Sequence, residues 1–537
     1  MPNLCIKLGD CWYHANGVSV TGAGFAEDRL QKRAALINYF NQVRNLRDFA
    51  EKVKGLNGFF AVVIQRDNEC YAAVDRVRSI PLFYALHEDR FFLSDDPEWI
   101  QNQIGGQVID SVALTEFLLT GYVVGPHTLD PRIRQLQAGE ALVVTATDGK
   151  TSYQTGRYYR FLTGRGEMHD WPERELLNRL NEVTLVAIRR LVTFADGRPI
   201  VIPLSGGLDS RLIAMSLQSL GYKNVIAFSY GVRGNWESKV SQEVAHRLGI
   251  PWYFVEYSPD LWKRWYWSEE CGLYRRYSSR LVSLAHLQDW PAIRELMSKG
   301  VVPEESVMVP GHTGDFVSGG HIPLELQNRR GVSIQDVMQA IFRHHYILMP
   351  LKVACEYAKV DLQDIQGKIS GRLRLCFEFA TEGTLTTPEA VSLYECWDWQ
   401  ERQAKYIVNS VRVYDFYGLE WWLPWWDAEF IEFWECVPLK LRIGRKMYRD
   451  YVNGIQARWK IKSKKSFIAQ AKKLIGRADK TGLLKKVYAA LLKHQIRSPA
   501  WRILALNGAF DLSSERYMSI LGAAALAQLG LPMRSES

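Results

Sequence analysis

Pro199-Ile-Val-Ile-Pro-Leu204 runs straight into Ser205-Gly-Gly-Leu-Asp-Ser210, and Leu212, Ile213, Met215, Leu217 and Leu220 follow. The first stretch is apolar, β-branched and of strand length. The last has the spacing of a helix face and stops at Gly221. The hexapeptide therefore joins the carboxyl end of a buried strand to the start of a helix. Its glycines let backbone approach a ligand closely, and the first helical turn offers N–H groups to an anion. Ser205 and Ser210 add hydroxyl donors, and Asp209 adds a hard oxygen that suits Mg²⁺ on phosphate. No G-x-x-x-x-G-K-[ST] occurs, so this is not a Walker-type loop. A glycine-rich turn capping a helix is the bland alternative, but the strand–loop–helix setting favours a pyrophosphate loop.

The same alternation extends on both sides. Leu177, Leu180, Val183, Leu185, Val186 and Ile188 fit a helix face that ends at Asp196-Gly197. Val225-Ile-Ala-Phe-Ser229 reads as a second strand, Glu237 to Leu248 as a helix stopped by Gly249, and Trp252-Tyr-Phe-Val255 as a third strand. Strands alternating with helices imply a doubly wound parallel sheet, with ligands at the carboxyl ends of its strands. Residues 270–440 read as mostly helical. Residues 1–150 differ: short runs such as Gly58–Ile64, Glu69–Val74, Arg90–Ser94 and Glu140–Thr145, with Asp/Asn/Gly turns between them, indicate a β-rich domain in which Asp148-Gly149 closes a hairpin or loop. The polar, aromatic stretch 151–175 is expected to link the two domains.

A chain of 537 residues exceeds one ordinary core, and 47% hydrophobic with 23% charged residues excludes wholesale disorder. Eight cysteines without C-x-x-C spacing argue against a disulfide scaffold or a zinc site. The opening MPNLCIKLGD lacks an apolar h-region, and no apolar run reaches the ~18 residues of a membrane span, so the expected compartment is the cytoplasm. The net charge of +9 is concentrated at one end: Lys440 to Arg497 holds 18 Lys or Arg against two Asp, with Leu474, Ile475, Leu483, Leu484, Val487, Leu491 and Leu492 between them. This basic amphipathic pattern suits an anionic membrane or an anionic, lipid-linked substrate, peripheral to the inner membrane, or else a solvated helical face. Without aromatic–basic interleaving, nucleic acid is not an expected partner.

Ser205-Gly-Gly-Leu-Asp-Ser210 resembles the pyrophosphate loop of the ATP pyrophosphatases, and within that group the chain resembles asparagine synthetase and its relatives. Leu56-Asn-Gly-Phe-Phe-Ala61 with Asp75-Arg-Val-Arg-Ser-Ile-Pro81-Leu-Phe-Tyr84 is similar to the family's amidotransferase segments G-x-F-A and R-D-R-x-G-x-K-P-L-Y-Y. Gly311-His-Thr-Gly-Asp315 resembles S-G-E-G-S-D-E, Pro424-Trp-Trp-Asp427 resembles P-F-L-D, and Lys446-Met-Tyr448 resembles the E-K-x-x-L-R segment with its catalytic lysine. The resemblance implies an Ntn-type αββα amidotransferase-like domain over 1–155, an ATP-binding synthetase domain over 175–455 and a basic helical region over 456–537. It implies ATP and Mg²⁺: Ser205, Gly206, Gly207, Asp209 and Ser210 on the β,γ-phosphates and metal, Asp315 as second metal carboxylate, Lys446 on the α-phosphate, Ser229 near adenosine, and Gly311 in the second loop. An Asx-turn for Asp315 and a solvated lysine for Lys446 are the bland alternatives.

Two departures bear on substrates. Glutamine-hydrolysing members carry a cysteine directly after the initiator Met, whose α-amine serves as base; here that residue is Pro2, and Cys5 and Cys11 lie within the chain. The domain is thus expected to lack glutaminase activity, so nitrogen would come from ammonia, a partner glutaminase or an amine substrate. His312 stands where asparagine synthetases carry a glutamate near the acceptor, and it is either a base for the incoming amine or a structural turn histidine. Segments Ser229–Ser238, Gly311–Gly320 and Trp399–Lys405 are similar to homologues found with surface-polysaccharide (O-antigen) synthesis, where the acceptor is thought to be a hexuronic acid carboxylate. Lasso-peptide cyclases, β-lactam synthetases, asparagine synthase proper and, more remotely, a non-catalytic scaffold are the rival readings.

Overall fold

The computed structural model describes residues 3–147, 150–166, 168, 170–327, 331–380, 383–461 and 520–531. Pro2, Asp148-Gly149 and the part of the basic stretch beyond Ile461 lie outside the described residues.

The N-terminal domain is built on two sheets. In the strand Asn57–Gln65, successive side chains point to opposite faces. Phe60, Val62 and Ile64 meet Leu36, Phe40, Phe49 and Val53 of the helices Ala34–Asn41 and Leu46–Gly55. Ala61 and Val63 face Leu82, Leu93, Leu142 and Val144 in the core between the sheets. That strand is central to a seven-stranded antiparallel sheet, and the second sheet orders Leu4–Lys7, Arg90–Ser94, Phe83–His87 and Arg134–Gln135. Pro97–Gln103 covers the outer face of the second sheet through Ile100. The layering is α-β-β-α, as the sequence implied. The supposed linker at 151 is not one: Lys150–Arg157 pairs along its whole length with Glu140–Thr147 and forms the edge of the large sheet. Its polar composition reflects exposure on both faces, with Thr151 the one buried residue of the strand.

The second domain carries a five-stranded, all-parallel sheet ordered Trp252–Glu256, Val225–Gly231, Ile200–Pro203, Val307–Met308, Glu420–Trp421. The first three strands run outward in one direction, and the chain then returns to the other side of Ile200–Pro203. Strand order reverses at that point, where open α/β sheets form their ligand crevice. The strands Val307–Met308 and Glu420–Trp421 are two residues each, too short for any periodicity to reveal them. Trp421 and Trp422 pack on Phe59, and Trp422 also on Phe25 and Phe194, so these tryptophans join the domains. Asp427 does likewise: it accepts from Asn57 Nδ2 at 2.9 Å and from Arg190 at 2.9 Å, while Asn57 Oδ1 accepts from the Ala428 N–H at 2.9 Å. Pro424-Trp-Trp-Asp427 is therefore an interdomain staple.

Candidate active site

A cavity of about 510 Å³ opens at the switch point, between the ends of Ile200–Pro203 and Val307–Met308. Ser205, Asp209 and Ser210 line one side, and Gly311, His312, Thr313 and Asp315 another. The hexapeptide is held as a loop by its own groups. Ser205 N–H donates to Ser210 Oγ at 3.1 Å, Gly207 N–H donates to Ser205 Oγ at 3.1 Å, and buried Arg211 ties down the carbonyls of Gly207 and Gly206 at 2.7 and 3.1 Å. Helix Leu208–Ser219 starts at Gly207 with no side-chain cap, which leaves its first-turn N–H groups for a ligand.

The second loop seats on the first because it has glycine where the two meet. A Cβ on Gly311 would stand 2.4 Å from Ser210 N, and one on Gly314 would stand 2.7 Å from Asp209 Oδ1. Between them Thr313, buried and β-branched, is held at φ +84°. Such a conformation is costly and persists where the surroundings impose it, most often at functional sites.

Asp315 is close enough to Asp209 to push its carboxyl up, and each of the two is met by a cation. Arg445 donates to Asp209 at 2.6 Å and to Ser318 Oγ at 3.0 Å. Burial pushes the Asp209 carboxyl up against the pull of Arg445. Asp315 is half-exposed to the cavity and 3.4 Å from His321 Nε2. Burial would raise its pKa, but the charge on His321 holds it well below the usual carboxylate range. His321 Nδ1 lies 2.7 Å from buried Asp398, and these two carboxylates overcome the effect of burial to push the imidazole up to about 9. Among the described residues no group of three or more His, Cys, Asp or Glu could hold a metal alone. Two carboxylates beside a phosphate loop nevertheless fit Mg²⁺, which is usually bound by one or two carboxylates together with substrate phosphates.

Two of the expected site residues do not line this cavity. Lys446 is not in the cavity. Its Nζ is half-exposed and pairs with Glu173 at 2.8 Å, and Arg445 reaches the loop in its place. The residues carry the reason: in E-K-x-x-L-R the lysine stands four before the arginine, and Arg445, not Lys446, stands four before Arg449. Arg445 adopts φ +59° to make that reach. Arg445→Ala should therefore lower AMP formation by about 10²-fold or more, by analogy with other preorganised charge-stabilising donors. Lys446→Ala should stay within about twofold of wild type, as an exposed ion pair is worth little. A large loss in Lys446→Ala would restore the original assignment. Ser229 hydrogen-bonds inward with the Leu204 carbonyl and Ser241 Oγ, both at 2.5 Å, and lines a small pocket that adjoins the cavity at Pro203, Ser205 and Tyr230.

His312 does face the cavity, with Nδ1 3.1 Å from buried Ser410 Oγ and its ring 6.3 Å from that of His286. Sequence reasoning missed Arg402, Gln403, Tyr406 and Ile407, which line the far wall. They lie on a nine-residue π-helix, Trp399–Ile407, a rare element that clusters at functional sites and has no sequence period to read.

Comparison with known families decides the assignment. The asparagine synthase family model matches residues 187–455, and that of the glutamine amidotransferase domain matches residues 47–159. The chain belongs to the asparagine synthase family. Its curated relatives include a probable glutamine-hydrolysing asparagine synthetase of Acanthamoeba polyphaga mimivirus, 26% identical over 40% of this chain and 38% of that protein. Another is asparagine synthetase 1 of Bacillus subtilis, 26% identical over 37% of this chain and 31% of that protein. The matched region thus spans about a third of each relative, 38% of one and 31% of the other. Among solved structures, a glutamine phosphoribosylpyrophosphate amidotransferase from B. subtilis is similar over 45% of this chain and 71% of its own, at 12% identity and a TM-score of 0.19, too low to bear on the argument.

Proposed function

We propose that the protein is an ATP-dependent amide-forming ligase: it activates a carboxylate as the acyl-adenylate, releasing pyrophosphate, and a nitrogen nucleophile then displaces AMP. The observation that carries this reading is the joining of two loops, 205–210 and 311–315, over one cavity at the sheet's switch point. The amides at the start of Leu208–Ser219 and the hydroxyls of Ser205 and Ser210 bind the β,γ-phosphates. Arg445, 2.6 Å from Asp209, brings fixed positive charge to the same loop, where negative charge moves onto the departing pyrophosphate. Mg²⁺ carried in on ATP would be held by Asp209 and Asp315 and would neutralise phosphate charge there. His312 lines the cavity, held by the contact of its Nδ1 with Ser410 Oγ, and its imidazole takes the proton from an incoming amine.

The finer reading is a hexuronic acid acceptor from a surface-polysaccharide precursor. The segments Ser229–Ser238, Gly311–Gly320 and Trp399–Lys405 support it, and Tyr230 and Tyr406 in the cavity wall offer rings against which a sugar face can pack. A lipid-linked form of that acceptor, met at an anionic membrane by the basic stretch, belongs to the same proposal. Among the described residues no helix is long and apolar enough to cross a membrane.

The nitrogen donor is ammonia or an amine rather than glutamine. Cys5 lies within the strand Leu4–Lys7. Around Cys11, desolvation pushes the thiol pKa up, the reverse of what an activated nucleophile needs. The purified protein should release no glutamate from glutamine, and with hexuronates it should form amide from ammonium salts, faster as rising pH frees NH₃. Glutamate and amide followed separately in wild type, Cys5→Ala and Cys11→Ala decide the matter. Glutamate release that either substitution abolishes would overturn the donor assignment and leave the ligase chemistry standing.

A further inference from the structure

The helix Ile520–Gln528 lies beyond both regions matched by the family models, yet it returns to the cavity. Ala523, Ala524, Ala525 and Leu526 are buried, and Ala524 lines the cavity beside Leu284 and Ala285. The helix is fastened by one side chain used as a substitute peptide. Gln528 Oε1 accepts from the Ala285 N–H at 2.9 Å, and Gln528 Nε2 donates to the Ser283 carbonyl at 3.1 Å. The neighbouring backbone of this segment is held by the N-terminal domain: Leu284 N–H donates to the Gly121 carbonyl at 2.7 Å, and Val123 N–H donates to the Val282 carbonyl at 2.8 Å. The segment 282–285 is thus gripped from two sides, and it leads into His286, whose ring lies 6.3 Å from His312 and 5.6 Å from Tyr406.

We propose that Ile520–Gln528 is a wall of the acyl pocket and that Ala524 sets how large an acceptor can be adenylated. This rests on the ligase reading above. The phosphate loop occupies one side of the cavity. Ala524 belongs instead with the His286–His312–Tyr406 group, where the nitrogen attacks and the acceptor's body must lie. Alanine leaves room there that a larger residue would take, and a filled pocket rejects ligands by steric overlap. Gln528 is a positioning residue, acting through the 283–285 backbone.

The test uses the full chain and non-hydrolysable adenylate mimics, so that no acceptor need be known beforehand. Acetyl-, hexanoyl- and galacturonoyl-sulfamoyladenosine are titrated by calorimetry into wild type, Ala524→Gly and Ala524→Trp. The expected result is acetyl mimic affinity within about twofold across the three proteins, with the larger mimics weakened by about tenfold or more in Ala524→Trp and not in Ala524→Gly. In parallel, hydrogen exchange of residues 283–289 should accelerate in Gln528→Ala. Equal weakening of all mimics in Ala524→Trp would put the helix against the nucleotide and overturn the inference. So would larger mimics that bind Ala524→Trp as well as wild type, or a wild type that binds acetyl and neither larger mimic. Exchange unchanged in Gln528→Ala also overturns it. A wild type that binds no mimic at all is a different failure: it refutes the ligase reading, and the exchange result then still decides whether the helix braces this wall.

Discussion

Asp209→Asn should lower AMP formation by about 10²–10³-fold, a loss of the size seen when one preorganised stabilising group is removed from a transition state. The substitution keeps the side chain's shape and removes its charge. In wild type burial and the neighbouring Asp315 push this carboxyl up, and Arg445 at 2.6 Å pulls it down. In the proposed reaction the same carboxyl would also meet Mg²⁺ carried in on ATP. Asparagine can still accept one hydrogen bond from Arg445, so far-ultraviolet circular dichroism should not change. The measurement is AMP release at saturating Mg·ATP. A variant that keeps more than about a tenth of wild-type turnover would show that the charge at 209 is not part of the chemistry.

The largest effect on stability is expected at Glu401. Glu401 and Lys405 are entirely buried and paired at 2.5 Å, four residues apart on the π-helix. Lys405 also donates to the carbonyls of Val123 at 2.8 Å and Gly125 at 2.7 Å, and Glu401 accepts from the Gly125 N–H at 3.0 Å. Glu401→Gln leaves an ammonium buried among neutral groups, which should cost about 3–5 kcal/mol in urea denaturation. The double variant Glu401→Leu/Lys405→Met removes both charges and should recover a substantial part of that loss, because a packed apolar pair avoids the desolvation penalty. If the single variant unfolds at the wild-type urea midpoint, water or another cation must compensate Lys405. If the double variant is no better than the single, hydrogen bonds to the 123–125 loop, not charge balance, account for the stability.

The part of the site built from contiguous sequence was legible. Strand, loop and helix over 199–220 announce themselves through composition and spacing, and Gly311 and Asp315 were placed beside them by the resemblance of Gly311-His-Thr-Gly-Asp315 to the family's second metal segment. The rest depends on tertiary contacts. Arg445 and Lys446 are adjacent cations, and the left-handed turn at 445 goes with the first of them facing the loop. The His321–Asp398 pair spans 77 residues. Arg402 and Tyr406 come to one wall because their helix is wound with i→i+5 bonds, and no periodicity in Trp399-Gln-Glu-Arg-Gln-Ala-Lys405 signals that. The polar edge strand at 150 looked like a linker because an edge strand exposed on both faces has the composition of a loop.

The π-helix also ties the two domains together. Along Trp399–Ile407 the residues facing the cavity alternate with Glu401 and Lys405, which grip the N-terminal domain at Gly125. One short rod is therefore both cavity wall and keystone. Cutting the N-terminal domain away would release the loop at 121–125, expose a buried ion pair to water and let the far wall of the cavity drift.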